Sequence, residues 1–148
     1  MDEQKWKLLQ ETGHYLSVPS GVSMYPMLKN KENVVDIVPV QGRLNKYDVA
    51  LYYRPTDNKC VLHRVLRVVE DHYIFYGDNC HAAEYVEEEQ IIGVADRFYR
   101  GGKWVSVRNP WYLLYVHLWC DLLPVRVFVF RVRDKLRKVL CKRAKKER

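Results

Sequence analysis

The hydrophobic and polar positions near the start of the chain predict a short helix. Trp6 and Leu9 are three residues apart and therefore lie on one helical face. Asp2 precedes them as a typical N-cap, and Gly13 is a typical C-terminal stop. We therefore expect a helix from Asp2 to about Thr12.

The pattern changes to short β-type runs from about Pro19 to Val107. These runs are rich in Val, Ile and Tyr and are separated by Gly, Asn, Asp or Pro, which predicts strands at VVDIVPV, DVALYY, CVLHRVLRVV, HYIFYG and IIGVADRFY. Asn109 followed by Pro110 is then typical of an N-cap and a first helical residue. A helical C-terminal region should follow, with an interruption at Pro124.

The order of these elements predicts a mainly β fold in two parts. Residues 1–108 form a β domain with its short N-terminal helix, and residues 109–148 form a helical, amphipathic and basic region. With 148 residues, of which 48% are hydrophobic and 29% charged, the chain is long enough to bury a core. This composition excludes a disordered tract and a membrane protein with several spans.

Positive charge is concentrated at the C-terminal end of the chain. The net charge is +7, and residues 126–148 hold eleven of the 25 Lys and Arg but only two of the 18 acids. That segment therefore carries +9, whereas residues 1–125 carry −2. This distribution disfavours a uniformly basic nucleic-acid-binding domain and leaves only a basic arm as an alternative, so we expect no nucleic-acid partner.

Four widely spaced cysteines, Cys60, Cys80, Cys120 and Cys141, form no CxxC pair and have no histidines at metal-ligand spacing. This predicts reduced thiols, without a disulfide framework, a metal or a cofactor. The first thirteen residues contain no apolar h-region, so we expect no secretory signal. The predicted location is the cytoplasm or the cytoplasmic face of the membrane.

Candidate chemistry begins at GVSMYPML, residues 21–28. A serine hydroxyl becomes a nucleophile when a base takes its proton and donors stabilise the oxyanion that forms. Gly21 lets the backbone approach a substrate carbonyl closely, and Pro26 restricts the residue before it. Ser23 is therefore either a nucleophile or a turn residue, because Gly, Ser and Pro are common in turns.

A histidine and a carboxylate supply the other two candidates. Alternation along CVLHRVLRVV places His63 on the face of Val61 and Val65, where it is either a hydrogen-bonded core residue or, with Ser23, a general base. In YGDNCHAAE, Asp78 is either part of a hairpin corner or a carboxylate that orients the imidazole or braces the loop under it.

Taken in order, five segments resemble the conserved segments of the signal peptidase family of serine endopeptidases: PSGVSMYPML, KYDVALYYRP, VLHRVLRV, FYGDN and IIGVADRF. The resemblance covers about Val18 to Phe98. His63-Arg64-Val65 is similar to the histidine type, found in the endoplasmic reticulum, in archaea and in some Gram-positive bacteria, rather than to the lysine type. The resemblance implies a coiled antiparallel β body of the signal peptidase and LexA type, with Ser23 as nucleophile and His63 as base.

The same resemblance implies an acyl-enzyme mechanism that needs no cofactor. Backbone N–H groups near Ser23 would hold the oxyanion, with Ser20, Gly21 and Met24 as candidate oxyanion or substrate-binding residues. The histidine-type enzymes place aspartates after GDN, whereas this chain has Ala82, Ala83 and Glu84. The orienting acid is therefore Asp78, which lies in the matching segment and is slightly favoured, or Glu84.

Enzymes of this family are held to the membrane by an apolar helix before the serine, and residues 1–22 leave no room for such a span. Residues 111–130 have the length, but Asp121 and Arg126 each cost about 2.5–3.5 kcal/mol near the centre of a span. Beyond Pro124, one helical side collects apolar residues, namely Val125, Phe128, Val129, Val132, Leu136, Val139 and Leu140. This stripe either lies in an anionic membrane surface or packs on the β domain.

The sequence therefore predicts a Ser/His endopeptidase that cleaves a peptide or a precursor protein. The alternative is a catalytically silent peptide- or membrane-binding module of the same fold. A LexA-like self-cleaving regulator is disfavoured, because no DNA-binding domain precedes the β domain and His63 stands where such proteins have lysine.

Overall fold

The computed structural model describes residues 3–122 and the single positions 125, 128, 132 and 135. In chain order its elements are α1 (Glu3–Thr12), β1 (Tyr15–Ser17), β2 (Val34–Val38), β3 (Val49–Arg54), β4 (Lys59–Val68), β5 (His72–Tyr76), β6 (Glu84–Glu87), a 3₁₀ turn (Glu88–Gln90), β7 (Ile91–Arg100), β8 (Lys103–Ser106) and α2 (Pro110–Asp121). The strands pair antiparallel in one sheet of order β1-β2-β7-β3-β4-β5-β6, and β8 pairs with β7. The predicted mainly β fold is thus confirmed.

Each of the five predicted strand runs corresponds to an observed strand within one residue at most ends, namely β2, β3, β4, β5 and β7. The three strands that the pattern did not predict are β1, β6 and β8, which have the sequences YLS, EYVE and KWVS. Three or four residues are too few to show an alternating pattern, so these strands are defined by their pairing with longer neighbours.

Both described helices begin or end where the sequence predicted. The left-handed Gly13, with φ 74°, closes α1, and its N–H donates to the Leu9 carbonyl at 2.9 Å. The Asn109 side chain caps α2 by accepting from the backbone N–H groups of Trp111 and Tyr112. The predicted cap at Asp2, the interruption at Pro124 and most of the apolar stripe lie outside the described residues.

Strand β4 lies between two hydrophobic cores, because the sheet curls and covers both of its faces. Leu62 belongs to one core, which includes Leu9 and Met27, and Val65 belongs to the other, which includes Tyr52 and Phe75. Successive residues of a strand point to opposite faces. The neighbours His63 and Arg64, both buried, therefore lie on different sides of the sheet.

Candidate functional site

Strand pairing places His63 beside a buried tyrosine. Ala50 of β3 is directly opposite His63 on β4, and its small side chain leaves room for the imidazole. Tyr52, two residues further along β3, lies on the same face as a diagonal neighbour, and its hydroxyl is 3.2 Å from His63 Nδ1. The histidine is 4% exposed, so these contacts define the position of its ring.

The acid that contacts His63 is Glu84. It begins β6, where it pairs with Phe75, which in turn pairs with Val65 on the face of His63. Glu84 Oε1 lies 3.3 Å from His63 Nδ1, and Oε2 accepts a hydrogen bond from the Tyr52 hydroxyl at 2.7 Å. In a flat sheet β3 and β6 would be about 14 Å apart, so this contact exists because the sheet curls.

Asp78, the acid that the sequence analysis favoured, pairs with Arg64 instead. The Arg64 guanidinium donates to both carboxylate oxygens, from Nε at 2.9 Å and from Nη2 at 2.8 Å, and both side chains are almost fully buried. Since Arg64 follows His63 on β4, this pair lies on the opposite side of the strand from the imidazole. Burial acts against the charge of Arg64, but the adjacent carboxylate holds its pKa well above the usual value.

Helix α2 forms hydrogen bonds with both members of this ion pair and with the backbone of the loop that contains Asp78. Tyr112 accepts a hydrogen bond from Arg64 at 2.8 Å, and the Tyr115 hydroxyl donates to the Asp78 carboxylate at 3.3 Å. The Trp119 indole N–H donates to the Asp78 carbonyl at 2.9 Å. The Asp78 loop is therefore held from the side that faces away from His63.

The Asp78 loop also forms hydrogen bonds with the segment that contains the candidate nucleophile. Ser23 is half-buried, and its carbonyl accepts a hydrogen bond from the backbone N–H of Asn79 at 2.7 Å. The Asn79 side chain also donates to the Val22 carbonyl at 3.1 Å. Residues 22 and 23 are thus tied to the turn that joins β5 to β6, although they are more than fifty positions away in the sequence.

Gly77 is the point where Ser23 and His63 approach each other. A Cβ on Gly77 would lie 2.7 Å from the Ser23 carbonyl oxygen, 3.1 Å from His63 Nε2 and 2.8 Å from Cys80 Sγ. Real Cβ contacts are longer than this, so only glycine allows the serine loop and the imidazole to border the same small space. His63 Nε2 therefore lies on the side of the Ser23 loop, and Nδ1 lies on the side of Glu84.

The three candidate oxyanion or substrate-binding residues occupy different environments. Ser20 is exposed, whereas Met24 is 3% exposed and its side chain packs in the core. The Gly21 N–H donates to Asn30 Oδ1 at 2.8 Å, and the residue adopts φ 96°, which favours glycine. Here Gly21 shapes the loop, and its amide is bound to Asn30.

The sequence predicts no role for Tyr52 or Arg54, although both lie in KYDVALYYRP, one of the segments that resemble the signal peptidase family. Arg54 donates from Nη1 to both Glu84 oxygens, at 3.0 and 3.1 Å. Both residues belong to the apolar strand β3, and only its pairing with β4 and the curl of the sheet reveal that Tyr52 meets the histidine and that Arg54 meets Glu84. The sequence contains no signal that would have separated them from ordinary strand residues.

These contacts hold Glu84 in its ionised form. Its pKa is lowered from the usual 4.5 to about 2, first by the hydrogen bond with His63 and further by those from Tyr52 and Arg54, although burial acts in the opposite direction. A carboxyl group with a lower pKa in the folded than in the unfolded state stabilises the fold above the unfolded value. That contribution is lost as the pH falls from about 4.5 towards 2.

We therefore expect Glu84→Gln to reduce the free energy of unfolding at pH 6 to 7, with the difference from wild type shrinking as the pH falls below about 4.5. Urea unfolding of both proteins across this range measures the effect. Glu89→Gln, which changes an exposed carboxylate, is the control and should match wild type at each pH. A difference between Glu84→Gln and wild type that stays constant in acid would contradict the lowered pKa.

Among the residues that the structure describes, neither helix has the length and apolar content needed to cross a bilayer. Comparison of the chain with protein-family models, with curated proteins and with solved structures gives no match.

Proposed function

We propose that the protein is a serine endopeptidase in which Ser23 is the nucleophile, His63 the base and Glu84 the acid that supports the base. The observation that carries this proposal is the orientation of His63. Its Nδ1 contacts Tyr52 and Glu84, while its Nε2 borders the space at Gly77 beside the Ser23 loop. A histidine that acts as general base needs this orientation, with one ring nitrogen facing an acid and the other facing the nucleophile.

In the proposed mechanism, His63 Nε2 takes the proton of the Ser23 hydroxyl as its oxygen attacks a substrate carbonyl. The imidazolium then gives this proton to the leaving amine, and an acyl-enzyme remains on Ser23. Water, activated by the same imidazole, hydrolyses the ester and restores the serine. Glu84, already ionised, stabilises the positive charge that His63 carries between these steps.

The oxyanion of the tetrahedral intermediate would be held by backbone N–H groups of the Ser23 loop. That loop is fixed to the turn after β5 by the two hydrogen bonds of Asn79, which keep its amides in place before substrate arrives. Ser20, exposed at the start of the loop, is the side-chain candidate for a further donor.

The finer fold assignment belongs to the same proposal. An antiparallel sheet that curls, with the serine on a loop between β1 and β2 and the histidine on a long central strand, supports a β body of the signal peptidase and LexA type. The substrate class is then an extended peptide or a precursor protein, and no cofactor takes part.

A cleavage assay on a peptide library, with products identified by mass spectrometry, tests this function. We expect cleaved peptides with wild type and none with Ser23→Ala. If wild type cleaves no member of a broad library but retains peptides in a pull-down, the protein is instead a silent binding module of the same fold.

A second proposal, attachment to an anionic membrane surface on its cytoplasmic face, rests on the outer side of α2. Trp111 is 78% exposed, and exposed apolar residues continue from it at intervals of three or four, namely Leu114, Leu118, Leu122, Val125, Phe128 and Val132. The described members of the predicted apolar stripe are therefore not buried against the β domain. Residues 126–148 carry +9 in the sequence, which complements an acidic lipid surface.

We expect deletion of residues 126–148 to release the protein from anionic vesicles without abolishing hydrolysis of a short soluble peptide. The deleted segment gains about 1 kcal/mol per basic residue near such a surface, an attraction that salt screens. Co-sedimentation with anionic and with neutral vesicles, at low and at high salt, measures this release. Equal pelleting of the full-length and truncated proteins would show that another part of the chain provides the attachment.

A further inference from the structure

The Nδ1 side of His63 faces two oxygen atoms that act as acceptors. Glu84 is ionised, so its carboxylate only accepts, and the Tyr52 hydroxyl 2.7 Å away must donate its proton to it. The Tyr52 oxygen is then left as an acceptor, 3.2 Å from His63 Nδ1. Glu84 Oε1, at 3.3 Å, is the second acceptor at this nitrogen.

Packing fixes the position of the Tyr52 hydroxyl independently of Glu84. The tyrosine is 1% exposed, and its ring centroid lies 4.8 Å from that of Phe75. Burial, together with the adjacent Glu84 charge, raises the pKa of the phenol, so it remains protonated and continues to donate. The hydroxyl therefore keeps one direction for donating and one for accepting.

The charged residues around Glu84 form a network in which Arg54 is shared between two carboxylates. Arg54 binds Glu84 with Nη1, while its Nε and Nη2 each donate to Asp57 at 2.8 Å. Lys59 Nζ lies 3.3 Å from Asp57 Oδ2. The positive charges of these two basic residues therefore balance the negative charges of Glu84 and Asp57 as long as His63 is neutral. On the Nε2 side, the Cys80 thiol borders the same space as the Ser23 carbonyl.

We propose that Tyr52 is a positioning residue whose hydroxyl, directed by Glu84, places the proton of neutral His63 on Nδ1 and leaves Nε2 unprotonated on the side of Ser23. The opposite tautomer would set the Nδ1 lone pair against two acceptor oxygens. The relevance of this tautomer to catalysis rests on the proposed peptidase function, but the tautomer itself does not.

Nitrogen-15 NMR of the histidine rings, without substrate, tests the tautomer directly. At a pH where His63 is neutral, we expect protonated Nδ1 and bare Nε2 in wild type, with the signals assigned by their loss in His63→Gln. Tyr52→Phe keeps the ring and removes only the hydroxyl, so the population with a proton on Nε2 should increase. Tyr53→Phe, which removes the neighbouring hydroxyl that binds Asn58, is the matched control and should leave the spectrum unchanged.

Kinetics then test the consequence for the reaction. Loss of one hydrogen bond to a charged ring is expected to lower kcat by about tenfold in Tyr52→Phe, with KM unchanged. Tyr53→Phe should retain the wild-type rate.

A protonated Nε2 in the wild-type protein would overturn this inference, as would a Tyr52→Phe protein with the wild-type tautomer and kcat. Neither result would contradict the peptidase assignment, which the cleavage assay of Ser23→Ala tests. Conversely, full activity of Ser23→Ala would refute the peptidase assignment at this site and leave the measured tautomer in place.

Discussion

Ser23→Ala is expected to reduce kcat/KM for a cleaved peptide by about 10⁴-fold or more while the protein remains folded. The substitution removes the atom that forms the acyl-enzyme, but the Ser23 carbonyl keeps its hydrogen bond from Asn79. The free energy of unfolding should therefore stay within about 1 kcal/mol of the wild-type value. Peptide turnover and urea unfolding of the same preparation measure the two effects.

Ser17→Ala, which removes a half-buried hydroxyl on β1, is the matched control and should turn over peptide at the wild-type rate. His63→Gln should lose activity to a degree similar to Ser23→Ala, and the double variant should lose little more, because nucleophile and base act as a unit. Undiminished turnover by a well-folded Ser23→Ala protein would remove the enzyme assignment from this site.

Asp78→Ala is expected to cause a large loss of stability, about 3–5 kcal/mol, because it leaves the Arg64 guanidinium buried without its counter-charge. Arg64 is fully buried, and it loses two hydrogen bonds of 2.8 and 2.9 Å. Urea unfolding measures the change. If the alanine variant does not fold, Asp78→Asn, which keeps the shape and removes the charge, provides the measurable version.

Two comparisons separate this effect from a general sensitivity to lost charge. Glu32→Ala breaks the exposed Lys29–Glu32 pair, which should contribute about 1 kcal/mol or less. Replacing both members of the buried pair, with Arg64→Met and Asp78→Leu, should recover part of the stability that Asp78→Ala loses. Wild-type stability in Asp78→Ala would contradict a structural role for the ion pair and would return Asp78 to consideration as the orienting acid.

Local patterns were sufficient to predict the long elements of this fold. The five longer strand runs and the start of α2 at Asn109 and Pro110 follow from side-chain preferences that act over a few residues. The strands β1, β6 and β8 escaped prediction because each exists only as the partner of a longer strand. Of these, β6 matters most for the proposed site, since it begins with Glu84.

In the candidate site, too, some residues could be identified from the sequence and others only from the structure. Ser23 and His63 were identified from residue chemistry and from the resemblance of their segments to a peptidase family. The choice between Asp78 and Glu84 was not accessible in the sequence, because it depends on which face of β4 each loop reaches. Asp78 lies within FYGDN, one of the segments that resemble the peptidase family, but in space it lies on the Arg64 side of the strand.

By itself, the sequence determined the alternation of buried and exposed positions, the helix ends and the concentration of positive charge at the C-terminal end, because each depends on neighbouring residues. Tertiary structure alone decided that Glu84 and Tyr52 meet His63, that Asp78 meets Arg64, and that the Ser23 carbonyl and the imidazole border one space at Gly77. The physical reason is that these contacts join residues from distant strands. Strand register and the curl of the sheet fix their distances, and both result from burying two cores at once rather than from any local preference.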